Sequence, residues 1–277
     1  MGVTIVGASD GLTLAAVGAV AAGGRTALAP AARDRLVAGA QQVDALVRAG
    51  RVVYGLTTGC GPLADVAIGP EARTAFRNNL IRSHASGLGP PHPSRHVRAT
   101  LLLRAATLAL GRSGVRPLVV DRLLALLDAD LLPVIPEVGS VGASGDLVEL
   151  AHVALGLIGE GDMTWRGERG AAPDAYRAAG LAPLILEGRE ALALMNGTSC
   201  ETAQAALLVL DGERLVAAAE AAAAMVIDVL GGSAEAFDAR VHAARPHPGQ
   251  QASAAHVRAR LAGSGRLRDT ARRTDAR

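Results

Sequence analysis

Apolar residues recur at helical spacing along most of this chain. Leu36, Ala40, Val43 and Val47 fall on one face of a helix that Gly50 stops, and Val119, Leu123, Leu126 or Leu127, and Leu131 make a second such stripe. The longest stretch, Thr198 to Leu230, opens with Thr198-x-x-Glu201, a pattern in which each side chain satisfies a backbone N–H left free by the first turn. Gly231-Gly232 closes it. Its 33 residues would form a rod of about 50 Å, apolar on most faces, as expected of an element buried among other helices. Strand signals are sparse: Arg51-Val52-Val53-Tyr54 reads as a short strand, and Met163-Thr164-Trp165 followed by Gly167 as a small hairpin. The pattern predicts a mainly α fold, a long-helix bundle with little β-structure. Its expected organisation is one helical domain over 1–262 and an Arg-rich tail over 263–277 with the composition of a disordered segment.

Composition narrows the function. Half of the 277 residues are apolar but only 2% are aromatic, so the core must be built from Ala, Leu and Val. All 28 basic residues are Arg, balanced by 26 acids, and the one basic concentration is Arg258 to Arg277. A polyanion-binding protein needs a concentrated basic surface, so this tail reads as solvated and no nucleic-acid partner is expected. Leu12 to Ala22 lacks a basic flank and follows Ser9-Asp10, which argues against a signal peptide. Leu215 to Leu230 carries Glu220 and Asp228 within less than a bilayer span, which argues against a membrane helix. Cys60 and Cys200 are too few for a disulfide framework and suit a reducing cytoplasm.

Two chemical signals are set aside. Gly59-Cys60-Gly61-Pro62-Leu63-Ala64 imitates a dinucleotide fingerprint, but Pro62 and the lack of an acid about 20 residues on oppose it, so no nucleotide is expected. His92 and His96 have the i, i+4 spacing of a metal pair. Pro91 and Pro93 disfavour a helix there, no acidic third ligand is near, and no metal is expected.

The strongest signal is Ala143-Ser144-Gly145, inside Gly139-Ser140-Val141-Gly142-Ala143-Ser144-Gly145-Asp146-Leu147. If the Gly145 nitrogen attacks the Ala143 carbonyl carbon and Ser144 loses its hydroxyl, two waters leave and a 4-methylidene-imidazol-5-one ring remains. That ring is an electrophile, which no ordinary side chain is. Gly145 allows the sharp fold and the close approach, and small Ala143 leaves its carbonyl uncrowded. Taken alone, the tripeptide also reads as a glycine-rich turn entering a helix.

Other segments accompany it in order: Tyr54-Gly55-Leu56-Thr57-Thr58-Gly59-Cys60-Gly61, Asn79-Leu80-Ile81-Arg82-Ser83-His84, Leu192-Ala193-Leu194-Met195-Asn196-Gly197-Thr198, and Phe237-Asp238-Ala239-Arg240 through Arg245-Pro246-His247-Pro248-Gly249-Gln250. With Ser113-Gly114-Val115-Arg116-Pro117 and Leu157-Ile158-Gly159-Glu160-Gly161, they make the chain resemble the histidine and aromatic amino acid ammonia-lyases over almost its whole length. The resemblance implies a fold of long parallel and antiparallel helices that assembles into oligomers. It implies elimination of ammonia from an aromatic α-amino acid, histidine first and tyrosine second, by a ring formed autocatalytically from Ala143-Ser144-Gly145. It puts Tyr54 in the role of proton abstractor, places His84 against the substrate side chain and Asn196 against its carboxylate, and counts Gly61 and Ser83 among the binding positions. The helix that starts beside Asp146 is expected to lend the positive potential of its N-terminus to the ring, although a carboxylate there equally reads as an ordinary cap.

The resemblance also has gaps. Family members are about twice this length, and their second half carries a second catalytic tyrosine, a carboxylate-binding arginine and, in the histidine enzymes, an acid that meets the imidazole. Three readings follow: an enzyme completed by a separate chain, a truncated copy, or a non-catalytic half-subunit that binds a full-length relative. Thr57 stands where the histidine enzymes carry asparagine, and Cys60 replaces an aromatic residue. Both bring an aminomutase, which returns ammonia to the β-carbon, into consideration.

Overall fold

The computed structural model describes residues 2–140 and 142–267. Its elements begin with β1 (Thr4–Val6), α1 (Leu14–Ala21), β2 (Thr26–Leu28), α2 (Pro30–Arg48) and α3 (Arg73–His84). Next come β3 (Leu88–Pro91), α4 (Ser94–Leu108), α5 (Pro117–Ala129), β4 (Leu131–Pro133), β5 (Pro136–Val138) and α6 (Leu147–Leu157). The hairpin β6 (Asp162–Trp165) and β7 (Glu168–Ala171) leads to α7 (Ala172–Ala179), α8 (Glu190–Met195) and the long α9 (Ser199–Val229), followed by α10 (Ala239–Ala243) and α11 (Pro248–Leu261). Helices dominate and the strands are three or four residues long, so the mainly α reading holds.

The chain divides into two compact units, one ending at Leu207 and the other starting at Leu208. In the first, α4 is the central element, packed against α1 and α5. Val97, Ala99, Leu101, Leu102, Ala105 and Leu108 are all buried along it, which is why its sequence shows no clean polar face. Arg98 is buried there too, donating to Val20 O at 2.8 Å, to Leu127 O at 3.1 Å and to Asp130 Oδ1 at 2.8 Å. Those bonds satisfy a buried charge and tie the C-terminal ends of α1 and α5 to α4. In the second unit Ala224, Val257 and Leu261 form a small core with Ile227 and Phe237. Glu220 is held there by Ser253 Oγ at 2.6 Å and His256 Nδ1 at 3.0 Å.

The predicted stripes are recovered with two shifts. Leu36 is buried in α2, and Ala40, Val43 and Val47 are half-buried beside more exposed neighbours. Val119, Leu123, Leu126 and Leu127 are buried in α5, but the helix ends at Ala129 because Asp130 turns left-handed at φ 52°. Leu131 therefore opens β4, which pairs with β6. The hairpin is as expected, with Arg166 (φ 50°) and Gly167 (φ 88°) forming the tight turn that matches strand twist. Arg51–Tyr54 is not a strand: the Val53 N–H donates to Thr57 Oγ1 at 2.8 Å and its carbonyl accepts from Thr57 N at 2.9 Å. A local side chain takes the groups a strand partner would need.

From residue 268 on, the Arg-rich tail lies outside the described residues. Among those described, no helix is long and apolar enough to cross a membrane. Because Leu123 is fully buried on α5, which packs against α4, Leu123→Ala should lower the unfolding free energy by about 2–5 kcal/mol. A urea midpoint equal to that of the parent chain would show that this packing is not the core.

Candidate functional site

The tripeptide sits in a tight turn. Gly142 N donates to Gly145 O at 3.2 Å and Gly145 N to Gly142 O at 3.0 Å, so the backbone folds back on itself across Ala143 and Ser144. Gly145 has φ 81°, and an added Cβ would collide with the carbonyl of Gly197, so only glycine fits. Gly197 lies alongside as a short backbone bridge: its N–H donates to Ser144 O at 3.0 Å, and its carbonyl accepts from Asp146 N at 2.8 Å. Ala143 and Ser144 are exposed while Gly145 is buried. The Ser144 hydroxymethyl group is thus presented on a rigid base.

Asp146 supplies much of that base. Its side chain, 2% exposed, does not cap α6, the helix it precedes. Instead Oδ2 accepts from Cys200 N at 2.7 Å and Glu201 N at 3.1 Å, the free donors of the first turn of α9. This corrects the expected capping box: a carboxylate 55 residues away receives the donor that Thr198 was predicted to satisfy. Beside it, Arg104 is buried on α4 and donates to Ala193 O. Burial lowers its pKa to about 10, against the opposing pull of Asp146.

Ser144 opens on a cavity of about 540 Å³ whose wall includes Tyr54, Gly61, Ser83, His84 and Asn196. Six of the eight predicted positions therefore share one cavity, and the other two, Ala143 and Gly145, flank Ser144 in its turn. The Tyr54 phenol oxygen accepts from Gly61 N at 2.8 Å, so the glycine loop fixes the ring at the wall. His84 Nδ1 lies 2.8 Å from Leu80 O and 3.0 Å from Ser83 Oγ. A carbonyl only accepts, so the proton of a neutral His84 sits on Nδ1 and Nε2 is left as an acceptor. Asn196 donates one amide hydrogen to Leu192 O at 2.9 Å, which sets its rotamer. Cys60 joins the wall as a thiol whose pKa burial raises, the Tyr54 hydrogen bond opposing.

The family model described as aromatic amino acid lyase matches residues 12–277. The chain belongs to that family. It is 48% identical over 261 residues to a histidine ammonia-lyase of Anaeromyxobacter sp. (strain K), covering 91% of this chain and 51% of the relative. A histidine ammonia-lyase of Caldanaerobacter subterraneus is 45% identical over 237 residues, covering 86% and 47%. Among solved structures, a tyrosine aminomutase from Streptomyces globisporus superposes with a TM-score of 0.90 at 34% identity, over 96% of this chain and 50% of that one. Histidine ammonia-lyase from Trypanosoma cruzi gives 0.85 at 32% identity, over 93% and 50%. The chain spans about half the length of the curated relatives it matches.

For this member of the aromatic amino acid lyases, sequence reasoning missed Arg104 and Phe76. Arg104 had a signal, a lone charge inside the apolar run Leu101-Leu102-Leu103-Arg104-Ala105; Phe76, on the cavity wall, had none. The histidine pair is also arranged differently from expectation. His92 precedes α4, His96 lies in its first turn, and Cys200 joins them from α9. Asp146→Ala should cost about 2–4 kcal/mol, because it strands two α9 donors and removes the carboxylate opposite buried Arg104. Unfolding equilibria of the variant measure this; a loss under about 0.5 kcal/mol, the scale of ordinary surface changes, would mean that the carboxylate does not hold the turn.

Proposed function

We propose that this chain carries the electrophile-bearing half of an ammonia-lyase active site acting on an aromatic α-amino acid, histidine first and tyrosine second. The observation that carries the reading is Ser144 opening into the same cavity as Tyr54, His84 and Asn196. The residues fit a methylidene-imidazolone: the turn brings the Gly145 nitrogen back toward Ala143, Gly145 tolerates no side chain, and the serine that must lose its hydroxyl is exposed. Once formed, that group supplies a carbon acceptor for the substrate amine, turning a poor leaving group into a better one.

The remaining roles belong to side chains and backbone. Gly197 N–H, donated to the Ser144 carbonyl oxygen at 3.0 Å, keeps a donor fixed where negative charge would accumulate, and a preset donor needs no reorganisation at that moment. Tyr54, oriented by Gly61, takes the β-hydrogen as general base. To take that proton the phenol must first have given up its own, and the Gly61 N–H donated to its oxygen at 2.8 Å favours the anion that does so. His84 Nε2 accepts a hydrogen bond from the imidazole N–H or phenol O–H of the substrate side chain, which selects for substrates with such a donor. Asn196 orients the substrate carboxylate.

A completing chain or segment supplies the rest of the cavity wall in this reading. It is supported by the half-length match to relatives and by the apolar side chains exposed on α9, among them Leu215 and Val229. The likeness to tyrosine aminomutase and the presence of Thr57 favour an aminomutase as the second reading. A cytoplasmic location is part of this reading, supported by a cysteine content that suits a reducing compartment.

Intact-mass measurement tests the central step. The chain should weigh two waters less than its sequence, and Ser144→Ala should show the full mass; an unmodified parent mass, alone and with a completing chain, rejects the ring. With that completing chain present, histidine should yield the trans-unsaturated acid, and a β-amino acid product would favour the aminomutase instead. Tyr54→Phe should keep the mass deficit while kcat falls about 10²–10⁴-fold, the usual range for a lost acid–base group. Undiminished turnover would remove Tyr54 from that role.

A further inference from the structure

We propose that His92, His96 and Cys200 form a binding site for a thiophilic divalent cation of the Zn²⁺ class, with a water completing the coordination. The donor atoms of the three side chains lie within 4.8 Å of one another. A tetrahedral site with Zn–N and Zn–S bonds of ordinary length needs donors about 3.4–3.6 Å apart. His96 Nε2 and Cys200 Sγ are already 3.5 Å apart. The His92 and His96 rings are tilted against each other with centroids 4.2 Å apart, so a small rotation of His92 closes the set.

The arrangement is built by the fold and not by sequence proximity. Cys200 comes from the first turn of α9, where its N–H is fixed by Asp146 at 2.7 Å. His96 comes from the first turn of α4, and both it and Cys200 are buried. His92 is only half-buried, which leaves a route for an ion and its water. Two imidazoles and one thiolate suit Zn²⁺ better than hard cations such as Mg²⁺, which prefer oxygen.

The electrostatics also favour a cation. The carboxylates of Asp146, Glu149 and Glu201 all act on the Cys200 sulfur. Those carboxylates, which oppose a bare thiolate, attract a divalent ion at the same sulfur. Glu149 is itself buried, and its Oε2 has no hydrogen-bond partner among the described residues.

Binding replaces the present contact of His96 Nε2 with Cys200 O, 3.0 Å long, by a metal bond and leaves the imidazole proton on Nδ1. The thiol proton passes to solvent, one per cation bound, and no electron is transferred. A cation there would clamp the start of α9 to α4, one residue contact away from the turn that bears Ser144.

Co²⁺ provides the probe. The full chain, stripped with a chelator and dialysed, should take up one equivalent of Co²⁺ with a thiolate-to-cobalt charge-transfer band in the near ultraviolet, and Zn²⁺ should displace it. Cys200→Ser should abolish the band and Cys60→Ser should keep it. His92→Gln, at a half-exposed position, should fold and weaken Co²⁺ binding by at least the about 10-fold that loss of an outer-shell partner causes elsewhere. Substoichiometric uptake, a band that survives in Cys200→Ser, or unchanged affinity in His92→Gln each overturns the proposal. The readout is optical and needs no turnover, so its failure is separate from failure of the Ser144 assignment.

Discussion

The Asp146 carboxylate at the N-terminus of α9 is the contact on which the rest of the site depends. A helix start carries unpaired N–H groups and a partial positive charge, and an anion there contributes up to about 2 kcal/mol in a partly buried setting. Asp146 follows Gly145 directly, so the same carboxylate that closes α9 also locks the turn before it. Its backbone N–H bonds Gly197 O while its side chain takes Cys200 and Glu201. The turn ending at Asp146 and the start of α9, two stretches about 50 residues apart in sequence, are thereby tied together.

Two glycines make that junction possible. Gly145 at φ 81° and Gly197 at φ 154° let two backbones lie side by side with Ser144 O and Gly197 N–H in register. On one side a Cβ would strike Gly197 O; on the other it would strike the guanidinium of Arg104. Arg104 adds a constraint of its own. Desolvation of its charge outweighs the attraction of Asp146, since its pKa falls to about 10 rather than rising. A buried cation held at net cost is tolerated where it fixes geometry, and here it fixes Ala193 and the approach to Asn196.

What was legible in the sequence followed from local physics. The stripes of α2 and α5 needed only helical period, and the turn between β6 and β7 needed only Gly167. That Ser144, Tyr54, His84 and Asn196 line one cavity could be expected because Ala143-Ser144-Gly145 and the segments around the other three resemble motifs of one family. What was not legible depended on partners far along the chain. Thr198 and Glu201 have the spacing of a self-contained cap, yet Asp146 Oδ2 accepts from the Glu201 N–H that Thr198 was expected to satisfy, and from Cys200 N–H beside it. Arg51–Tyr54 has strand-like residues, yet Thr57 Oγ1 satisfies Val53 locally. His92 and His96 lacked a nearby acid, and the third donor in reach turned out to be a sulfur contributed by α9.

The long helix shows how the same sequence can be right about an element and incomplete about its surroundings. Its apolar residues predicted burial on most sides, and its first turns, with Cys200, Ala203 and Leu207, are buried. Further along, Leu208, Leu215, Met225, Val229 and Leu230 are 63–75% exposed. Full burial of such a side chain is worth about 1.5–3 kcal/mol, so leaving five in water forgoes several kcal/mol and invites association. A chain shaped only for its own stability would place polar residues at those positions. Those positions leave an apolar stretch of α9 uncovered, and the chain spans about half the length of the curated relatives it matches.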